Sequence, residues 1–422
     1  MEYKEKKIKT GIKLHEIKTE KFKTNLIAVF LTTELTRENV TKNAVISAIL
    51  RRGSQNLKTQ EEISKQMENL YGASFDCGLD KTGDNQVLKF YIETVNDTFL
   101  PTTNENILKT AIQNLLEIVF NPYTENGAFK TEYLEQEKNN IKQRIEGKKD
   151  NKASYSLERC VQEMYQNEPF GLYKFGYIED LEKIDEKNLY EYYKNLIANC
   201  KIDIFVSGNI DEKTTEIIEN DENIKKLESR NPKYNISKIA KKEMKEEKTI
   251  TDHLEVSQGK LVIGLDVDIE DENLKYDVLV YNCILGGTAN SKLFQNVREK
   301  AHLAYVASSS YLKHKNNIFI NCGIEISNYE KTLELIRKQI EDIKNADFTD
   351  EEVENAKQGI IATIKTIDDE QDTTISYLFG QELAMVKASL DEYMKNIEKV
   401  KKEDVVNIAK KVNINTIYFL RD

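Results

Sequence analysis

The side chains that hold catalytic metals are scarce in this chain, and their spacing limits the chemistry that it can perform. Four of the 422 residues are histidines: His15, His253, His302 and His314. None lies between residues 16 and 252, and no two are four residues apart, so no helix face presents a histidine pair to one ion. We therefore interpret the histidines as surface or core residues rather than as zinc ligands.

Cysteine chemistry offers no stronger candidate. The five cysteines are scattered, and no two form a Cys-x-x-Cys pair. They are Cys77, Cys160, Cys200, Cys283 and Cys322. This distribution favours reduced core thiols in the cytosol over a disulfide framework or a zinc knuckle. No local pattern brings a histidine next to a thiol for Cys–His catalysis.

Motifs for nucleotide binding and for acyl transfer are also missing. The sequence contains no Gly-x-Gly-x-x-Gly, no phosphate-binding P-loop and no Gly-x-Ser-x-Gly. Gly286-Gly287 is a lone glycine pair between an apolar run and a helix. A tight turn that lets two elements approach is the favoured interpretation, and contact with a ligand is the alternative.

The composition indicates an acidic globular protein with more than one domain. Apolar residues make up 39% of the chain, and the net charge of −11 argues against nucleic-acid binding, which calls for a basic surface. No run of about 18 apolar residues predicts a membrane-spanning helix. The charged N-terminal stretch lacks the apolar core of a secretory signal. We therefore expect a cytoplasmic protein with neither nucleic acid nor membrane as a partner.

An internal similarity suggests that the chain contains a duplicated domain. Residues 180–209 and 396–422 both pass from Leu/Ile-Glu-Lys-Ile/Val through a helical segment into an apolar strand. The two strands are Ile202–Val206 and Thr416–Leu420. We predict that they are equivalent strands of two halves with the same topology.

A weaker similarity pairs AILRRGSQN at 48–56 with CILGGTANS at 283–291, in the same order along the chain. The stretch between the halves is charged and poor in apolar residues, which is typical of a linker. We predict an N-terminal half at 1–215, a linker at 216–248 and a C-terminal half at 249–422.

Hydrophobic periodicity predicts runs of strands and helices within one half, which indicates an α+β fold rather than a doubly wound sheet. The predicted strands are Asn25–Thr32 and Gln86–Val95. The predicted helices are Val40–Arg52, Gln60–Tyr71, Ile107–Phe120 and Lys130–Ile145.

Two stretches resemble the pitrilysin/insulinase family of zinc metallopeptidases: LGGTANSKLFQNVREKAHLAY in the second half and VFNPYTENGAFKTEYLEQEK in the first. The resemblance spans essentially the whole chain. It implies two homologous halves, each a mostly antiparallel sheet packed with helices, as in the mitochondrial processing peptidase. Within the family the sequence is similar to a bacterial cytoplasmic subgroup that has been linked to modification of elongation factor P.

The resemblance also implies that the zinc site has been lost. Active members carry His-x-x-Glu-His five residues before a glycine. Anchoring on Gly53 puts Ala44, Ser47 and Ala48 at those positions. A glutamate seven residues after another glutamate supplies the third zinc ligand in active members.

In this chain the earlier glutamate matches Glu137, and the residue seven positions later is Arg144, with Glu146 close by. A cation at Arg144 would repel zinc. We therefore expect no metal site and no cofactor in this chain.

A second motif of the family is retained. Arg298 and Tyr305, seven residues apart, match the pair that contacts the peptide backbone of the substrate in the family. A separation of two helical turns lets both side chains face one side. The alternative is that Arg298 pairs with a nearby acid and that Tyr305 packs in the core.

The function that follows from the resemblance is that of a non-catalytic, substrate-binding subunit. Its partner would be an intact pitrilysin-type paralogue that carries the zinc, and its substrate a peptide or an unfolded polypeptide. One alternative is a peptide-binding or assembly protein linked to elongation factor P modification, with no proteolysis. Another is an active zinc peptidase with substitute ligands.

Overall fold

The computed structural model describes residues 2–100, 106–236 and 246–422. The strands of the first part of the chain are β1 (Glu2–Lys9), β2 (Ile12–Lys18), β3 (Thr24–Glu34), β4 (Ser74–Thr82), β5 (Asn85–Val95), β6 (Thr124–Glu125), β7 (Ala128–Phe129) and β8 (Lys201–Gly208). Its helices are α1 (Val40–Ile49), α2 (Gln60–Asn69), α3 (Ile107–Phe120), α4 (Thr131–Glu146), α5 (Lys152–Met164), α6 (Ile178–Leu181), α7 (Glu186–Asn199), α8 (Glu212–Asn220) and α9 (Glu222–Lys226). The strands and helices predicted from periodicity are confirmed to within a few residues.

The later part of the chain repeats this mixture. Its strands are β9 (Lys248–His253), β10 (Gly259–Val267), β11 (Ala304–Leu312), β12 (Asn317–Ile324) and β13 (Val412–Arg421). Its helices are α10 (Lys275–Asn282), α11 (Tyr329–Lys344), α12 (Asp350–Lys365), α13 (Gln371–Ala384), α14 (Leu390–Lys399) and α15 (Lys402–Ala409). Two π-helical segments, Cys283–Gly287 and Leu293–Lys300, lie between α10 and β11.

The first sheet has the strand order β1-β2-β8-β3-β5-β4. Strand β2 runs parallel to β8, and the pairs β8–β3, β3–β5 and β5–β4 are antiparallel. Residues Asn25 to Thr32 of β3 are buried without alternation, as expected for a central strand that is covered on both faces. Strand β4 lies at one edge and, within the described residues, pairs only with β5.

The second sheet has the order β11-β12-β10-β13-β9. Strand β9 runs parallel to β13, and the pairs β13–β10, β10–β12 and β12–β11 are antiparallel. Apart from β1, each strand of the first sheet therefore has a counterpart in the same place and direction. The predicted duplication is confirmed, and β8 and β13 contain the two strands that the sequence pairs with each other.

The chain folds into two compact units that do not follow the chain order strictly. The first unit runs to Gly147 and resumes at Leu172–Asn235, with Thr374–Ser376 added. The second unit takes Lys148–Gly171 together with the rest of the chain. The boundaries predicted from the sequence place residues 148–171 in the N-terminal half, which is wrong, because the structure packs them in the second unit.

Helix α5 explains why residues 148–171 belong to the second unit. Its buried residues Cys160 and Met164 join a core cluster with Val262 of β10 and Tyr418 of β13. A side-chain carbon at Gly264 would come within 2.8 Å of the Met164 sulfur atom. The apolar stripe of α5 thus covers one face of the second sheet, and hydrophobic burial drives this packing.

Residues 216–248, interpreted as a linker from their charge, are only partly linker-like. Helices α8 and α9 lie within or overlap this range, and Ile218 and Ile224 belong to the core of the first unit. One buried isoleucine from each short helix joins this core, although the composition of the stretch as a whole is polar. Residues 237–245 lie outside the described part of the chain.

A buried charge network stabilises the first sheet. Asp203 on β8 is fully buried, between Lys201 and His15, whose Nε2 lies 3.0 Å from the Asp203 carboxylate. Since an ionised carboxylate only accepts, His15 donates through Nε2, and its Nδ1 accepts from the Tyr3 hydroxyl at 2.7 Å. Burial opposes ionisation of Asp203, but Lys201 and His15 outweigh it and lower its pKa to about 2.

We predict that Asp203→Asn lowers the free energy of unfolding by about 3 to 5 kcal/mol at neutral pH, because it breaks the buried ion pair between Asp203 and Lys201. The measurement is urea denaturation of the full chain. An Asp whose pKa is depressed stabilises the fold above its unfolded pKa of about 3.9, and this stabilisation is lost as the pH falls toward 2. The difference in stability between the wild-type protein and Asp203→Asn should therefore shrink as the pH falls from about 3.9 toward 2.

The matched control is Asp342→Asn, which removes a surface ion pair with Lys338 whose lysine side chain is 62% exposed. Such pairs contribute at most about 1 kcal/mol. An equal loss of stability in both variants, or a gap that does not change with pH, would contradict the assigned role of Asp203.

Candidate functional site

Helix α1 forms one wall of a cleft in the first unit. It is free of glycine and proline, and Val45, Ile46 and Ile49 are buried in the core. Ala44, Ser47 and Ala48, spaced so that they share one helix face, line the cleft.

The helix continues as one 3₁₀ turn over Leu50–Arg52 and ends at Gly53. A Cβ at Gly53 would come within 2.5 Å of the Lys58 carbonyl oxygen. Only glycine lets the chain pass so close to itself, so the glycine that anchors the motif has a structural reason to be there.

The cleft has a volume of about 630 Å³. Helix α1 with its 3₁₀ turn, strand β4, helix α4 and Phe175 surround it. Arg144 lies on this cleft together with Ala44, Ser47 and Ala48, so the fold brings all four positions of the degenerate motif to one place. Its polar and charged lining residues are Ser47, Arg51, Arg52, Gln60, Cys77, Glu137, Asn140, Gln143 and Arg144.

Glu137 on α4 is the carboxylate that lines the cleft, and both of its oxygens are bonded to neighbouring side chains. The residue is 4% exposed, and one oxygen forms an ion pair with Nε of Arg52. The other oxygen accepts from Asn140 Nδ2 at 3.1 Å. Seven residues after Glu137 along α4, the Arg144 guanidinium stands over the Phe175 ring, 4.8 Å from its centroid.

These residues do not fit a zinc ion. Ala44 and Ala48 have no donor atom, and the Ser47 hydroxyl donates to the Gly78 carbonyl oxygen at 3.2 Å. Arg144 places a positive charge where a ligand is needed, whereas zinc sites take neutral or anionic Cys, His and carboxylate donors. Across residues 2–100, 106–236 and 246–422, no group of three His, Cys, Asp or Glu side chains could hold a metal ion.

Cys77 on β4 does not change this conclusion. Burial raises the pKa of its thiol to about 11, and the nearby charges of Arg51 and Arg144 offset the effect only in part. The thiol is therefore neutral at physiological pH, and metals and electrophiles react with the thiolate.

In the second unit, Arg298 lies in the π-helical segment before β11. Its side chain is 42% exposed, and its guanidinium lies 4.5 Å from the centroid of the Phe294 ring. Its Nε is 3.5 Å from the carboxylate of Glu299. An exposed pair of this kind is weak, so the guanidinium is accessible to a ligand.

Tyr305 is 64% exposed on β11. The register of β11 against β12 shifts between Ala304 and Val306, which makes Tyr305 the extra residue of a β-bulge. Within the described residues β11 pairs only with β12, so the bulge lies on an edge strand, where bulges redirect side chains. The alternative that Tyr305 packs in the core is therefore wrong.

Gly286 has the structural role that the sequence favours. A Cβ at this position would come within 2.6 Å of the Ser309 amide nitrogen and within 2.9 Å of a Leu293 methyl carbon. Ser309 lies on β11, so the glycine lets the π-helical turn pack against this strand. Gly286 thus allows the approach of two elements that the sequence predicts for this glycine pair.

Comparison with known proteins identifies the family of this chain. A family described as "Peptidase M16 inactive domain" matches residues 183–360. A protein of Bacillus subtilis strain 168, named "Probable inactive metalloprotease YmfF", is 34% identical over 428 residues, which cover 97% of this chain and 96% of the relative. The chain belongs to the pitrilysin family of metallopeptidases, the M16 peptidases, and lacks the zinc motif of that family.

Solved structures share the fold. A conserved protein from Enterococcus faecalis V583 superposes with a TM-score of 0.88 at 28% identity, covering 99% of this chain and 98% of the other. The peptidase M16 inactive domain from Pseudomonas fluorescens superposes with a TM-score of 0.78 at 18% identity, covering 100% and 98%. These matches show that the two-half α+β architecture spans the whole chain.

Sequence reasoning missed Arg51 and Arg52, which both line the cleft. A signal was available, because Arg51 lies four residues after Ser47 and Arg52 four residues after Ala48. Residues at that spacing share a helix face. Once the degenerate positions were assigned, the two arginines could have been placed beside them.

We predict that the purified chain binds no stoichiometric zinc, because α1 offers one weakly coordinating hydroxyl at the three motif positions. Elemental analysis after mild dialysis is the measurement. One zinc per chain that is lost when Ser47, Cys77 and Glu137 are replaced together would contradict the prediction.

We also predict that Gly286→Ala lowers the free energy of unfolding by about 1 to 3 kcal/mol, because the added methyl group overlaps the backbone of β11. Gly359→Ala is the control: a Cβ there meets only Thr288, at 3.6 Å, and alanine favours the helix α12. Thermal or urea unfolding should separate the two variants. If the two variants are equally stable, the backbone at Gly286 shifts to accommodate the methyl group, and the prediction is wrong.

Proposed function

We propose that this chain is the non-catalytic, substrate-binding subunit of a heterodimer with an intact pitrilysin-type peptidase paralogue. The observation that carries the proposal is the contrast between the two units. The zinc positions Ala44, Ser47, Ala48 and Arg144 cannot hold the metal, while the substrate-contact pair of the family, Arg298 and Tyr305, is retained and exposed. A protein that keeps the second feature without the first can hold a substrate for another subunit to cleave.

The exposed positions suit a peptide ligand. Arg298 offers a charged donor with several N–H groups, and the Tyr305 hydroxyl can donate to a peptide carbonyl. In the first unit, the edge strand β4 contributes Cys77, Gly78 and Leu79 to the wall of the cleft. An edge strand can pair with an extended chain through main-chain hydrogen bonds, which suits an unfolded polypeptide of varied sequence.

The proposed partner carries the zinc, and the proposed compartment is the cytoplasm. The five cysteines are free thiols, and four of them are buried, which favours a reducing compartment. No helix in the described part of the chain has the length and apolar character needed to cross a bilayer.

The test combines the purified chain with a pitrilysin-type paralogue that retains His-x-x-Glu-His. We expect a complex by gel filtration, no peptide cleavage by this chain alone, and faster cleavage or tighter peptide binding by the mixture. Chelator-sensitive proteolysis by this chain alone would overturn the proposal. A complex that binds peptide without cleaving it would support the alternative of a binding or assembly protein in elongation factor P modification.

We predict that Arg298→Ala weakens peptide affinity of the mixed complex about tenfold, because it removes a charge-assisted hydrogen bond worth roughly 1.4 kcal/mol. Tyr305→Phe should have a smaller effect, since it loses only the hydroxyl. Both variants should leave assembly of the pair intact, as measured by gel filtration beside fluorescence anisotropy of a labelled peptide.

Arg337→Ala is the matched control, because Arg337 is an exposed arginine of the same unit that pairs with Glu247. It should leave peptide affinity unchanged. If complexes with wild type, Arg298→Ala and Tyr305→Phe bind the peptide equally tightly, Arg298 and Tyr305 do not take part in peptide binding.

A further inference from the structure

The cleft that has lost the zinc ligands is strongly basic. Its ionised side chains are the three guanidiniums of Arg51, Arg52 and Arg144 against the single carboxylate of Glu137. The whole chain, by contrast, has a net charge of −11. Positive charge that is concentrated in the wall of a cleft attracts anionic ligands, even when the rest of the protein is acidic.

Two of the three guanidiniums are available to a ligand. Arg52 is neutralised by its ion pair with Glu137. Within the described residues, Arg51 and Arg144 have no carboxylate partner, and both residues are exposed. The stacking of Arg144 on the Phe175 ring holds its guanidinium in place without using its N–H groups.

The remaining lining completes a polar receptor. Gln60, Asn140 and Gln143 bring neutral amides to the cleft, and amides can donate to an oxygen anion. The Cys77 thiol stays protonated because burial raises its pKa to about 11, so it adds no negative charge.

We propose that this cleft binds a carboxylate of a peptide, either an acidic side chain or a free C-terminus, through Arg51 and Arg144. A guanidinium presents paired N–H donors that match the two oxygens of a carboxylate. Edge strand β4 lines the same cleft, so a peptide paired with that strand would deliver a carboxyl group directly to the arginines. The inference rests on the peptide-binding role proposed above, to which it adds the class of substrate.

The test compares two pools of nine-residue peptides that differ only in a central Glu or Gln, all with amidated C-termini. A second comparison uses neutral peptides with a free or an amidated C-terminus, which separates the two sources of carboxylate. Fluorescence anisotropy measures affinity for the full chain and for its mixture with the zinc-bearing paralogue. We expect at least one carboxylate series to bind about tenfold more tightly than its neutral match, with a preference that declines as salt rises.

Arg144→Gln and Arg51→Gln should each reduce the carboxylate preference several-fold, and the double variant should abolish it while neutral peptides bind as before. The matched control is Lys142→Gln, which makes the same change in charge at an exposed position of α4 that does not line the cleft. It should retain the full preference. Circular dichroism melts of all variants verify that the fold is unchanged.

The outcomes distinguish this inference from the function on which it rests. Peptide binding with equal affinity for charged and neutral pools overturns the carboxylate site alone. Absence of binding by any pool, with the chain alone and with the mixture, overturns both the site and the peptide-binding role. Competition by inorganic phosphate in the absence of any preference for Glu would assign the cleft to phosphate and also overturn the proposal.

Discussion

The buried carboxylate of Glu137 imposes the constraint on which the altered site depends. A carboxylate that is 4% exposed must have a positive partner, because an unpaired buried charge is strongly destabilising. Arg52 supplies that partner from the end of α1, where the chain turns at Gly53. The ion pair ties α4 to α1 and provides the compensating charge through a side chain.

A cleft lined by guanidiniums differs from a metal site in what it can do to a bound ligand. A metal ion polarises a bound water or carbonyl, whereas a guanidinium offers fixed N–H donors and no open coordination position. Helices α1 and α4 and strand β4 still enclose the cleft, although its residues do not fit a zinc ion. A site of this kind can bind and orient a ligand through these donors.

The duplication gives the two units equivalent elements with different tasks. In each unit a helix runs into an irregular turn with a glycine that allows a close approach: α1 continues as the 3₁₀ turn before Gly53, and α10 continues as the π-helical turn that contains Gly286. In the first unit this region surrounds a polar cleft. In the second it presents Arg298 and the bulged Tyr305 to solvent. The same local architecture thus forms the wall of a cleft in one unit and an exposed surface in the other.

Local sequence information was sufficient for the elements, the duplication and the loss of the zinc ligands. Periodicity of apolar residues is a property of short segments, and the absence of histidine from 16 to 252 holds for any alignment of the motif. The equivalent strands were visible because the same short pattern precedes both. The family itself followed from a run of residues around Arg298 that few unrelated proteins would share.

Tertiary structure decided which surfaces these segments meet. The apolar stripe of α5 identifies a buried face but not the sheet that it covers, and the structure places it on the second sheet. The pairing of Arg52 with Glu137 joins residues 85 positions apart, and the bulge at Tyr305 exists only in the register of β11 against β12. Sequence by itself determined which groups are present, while long-range packing determined which charges are paired and which remain free, because pairing depends on distances that no local pattern records.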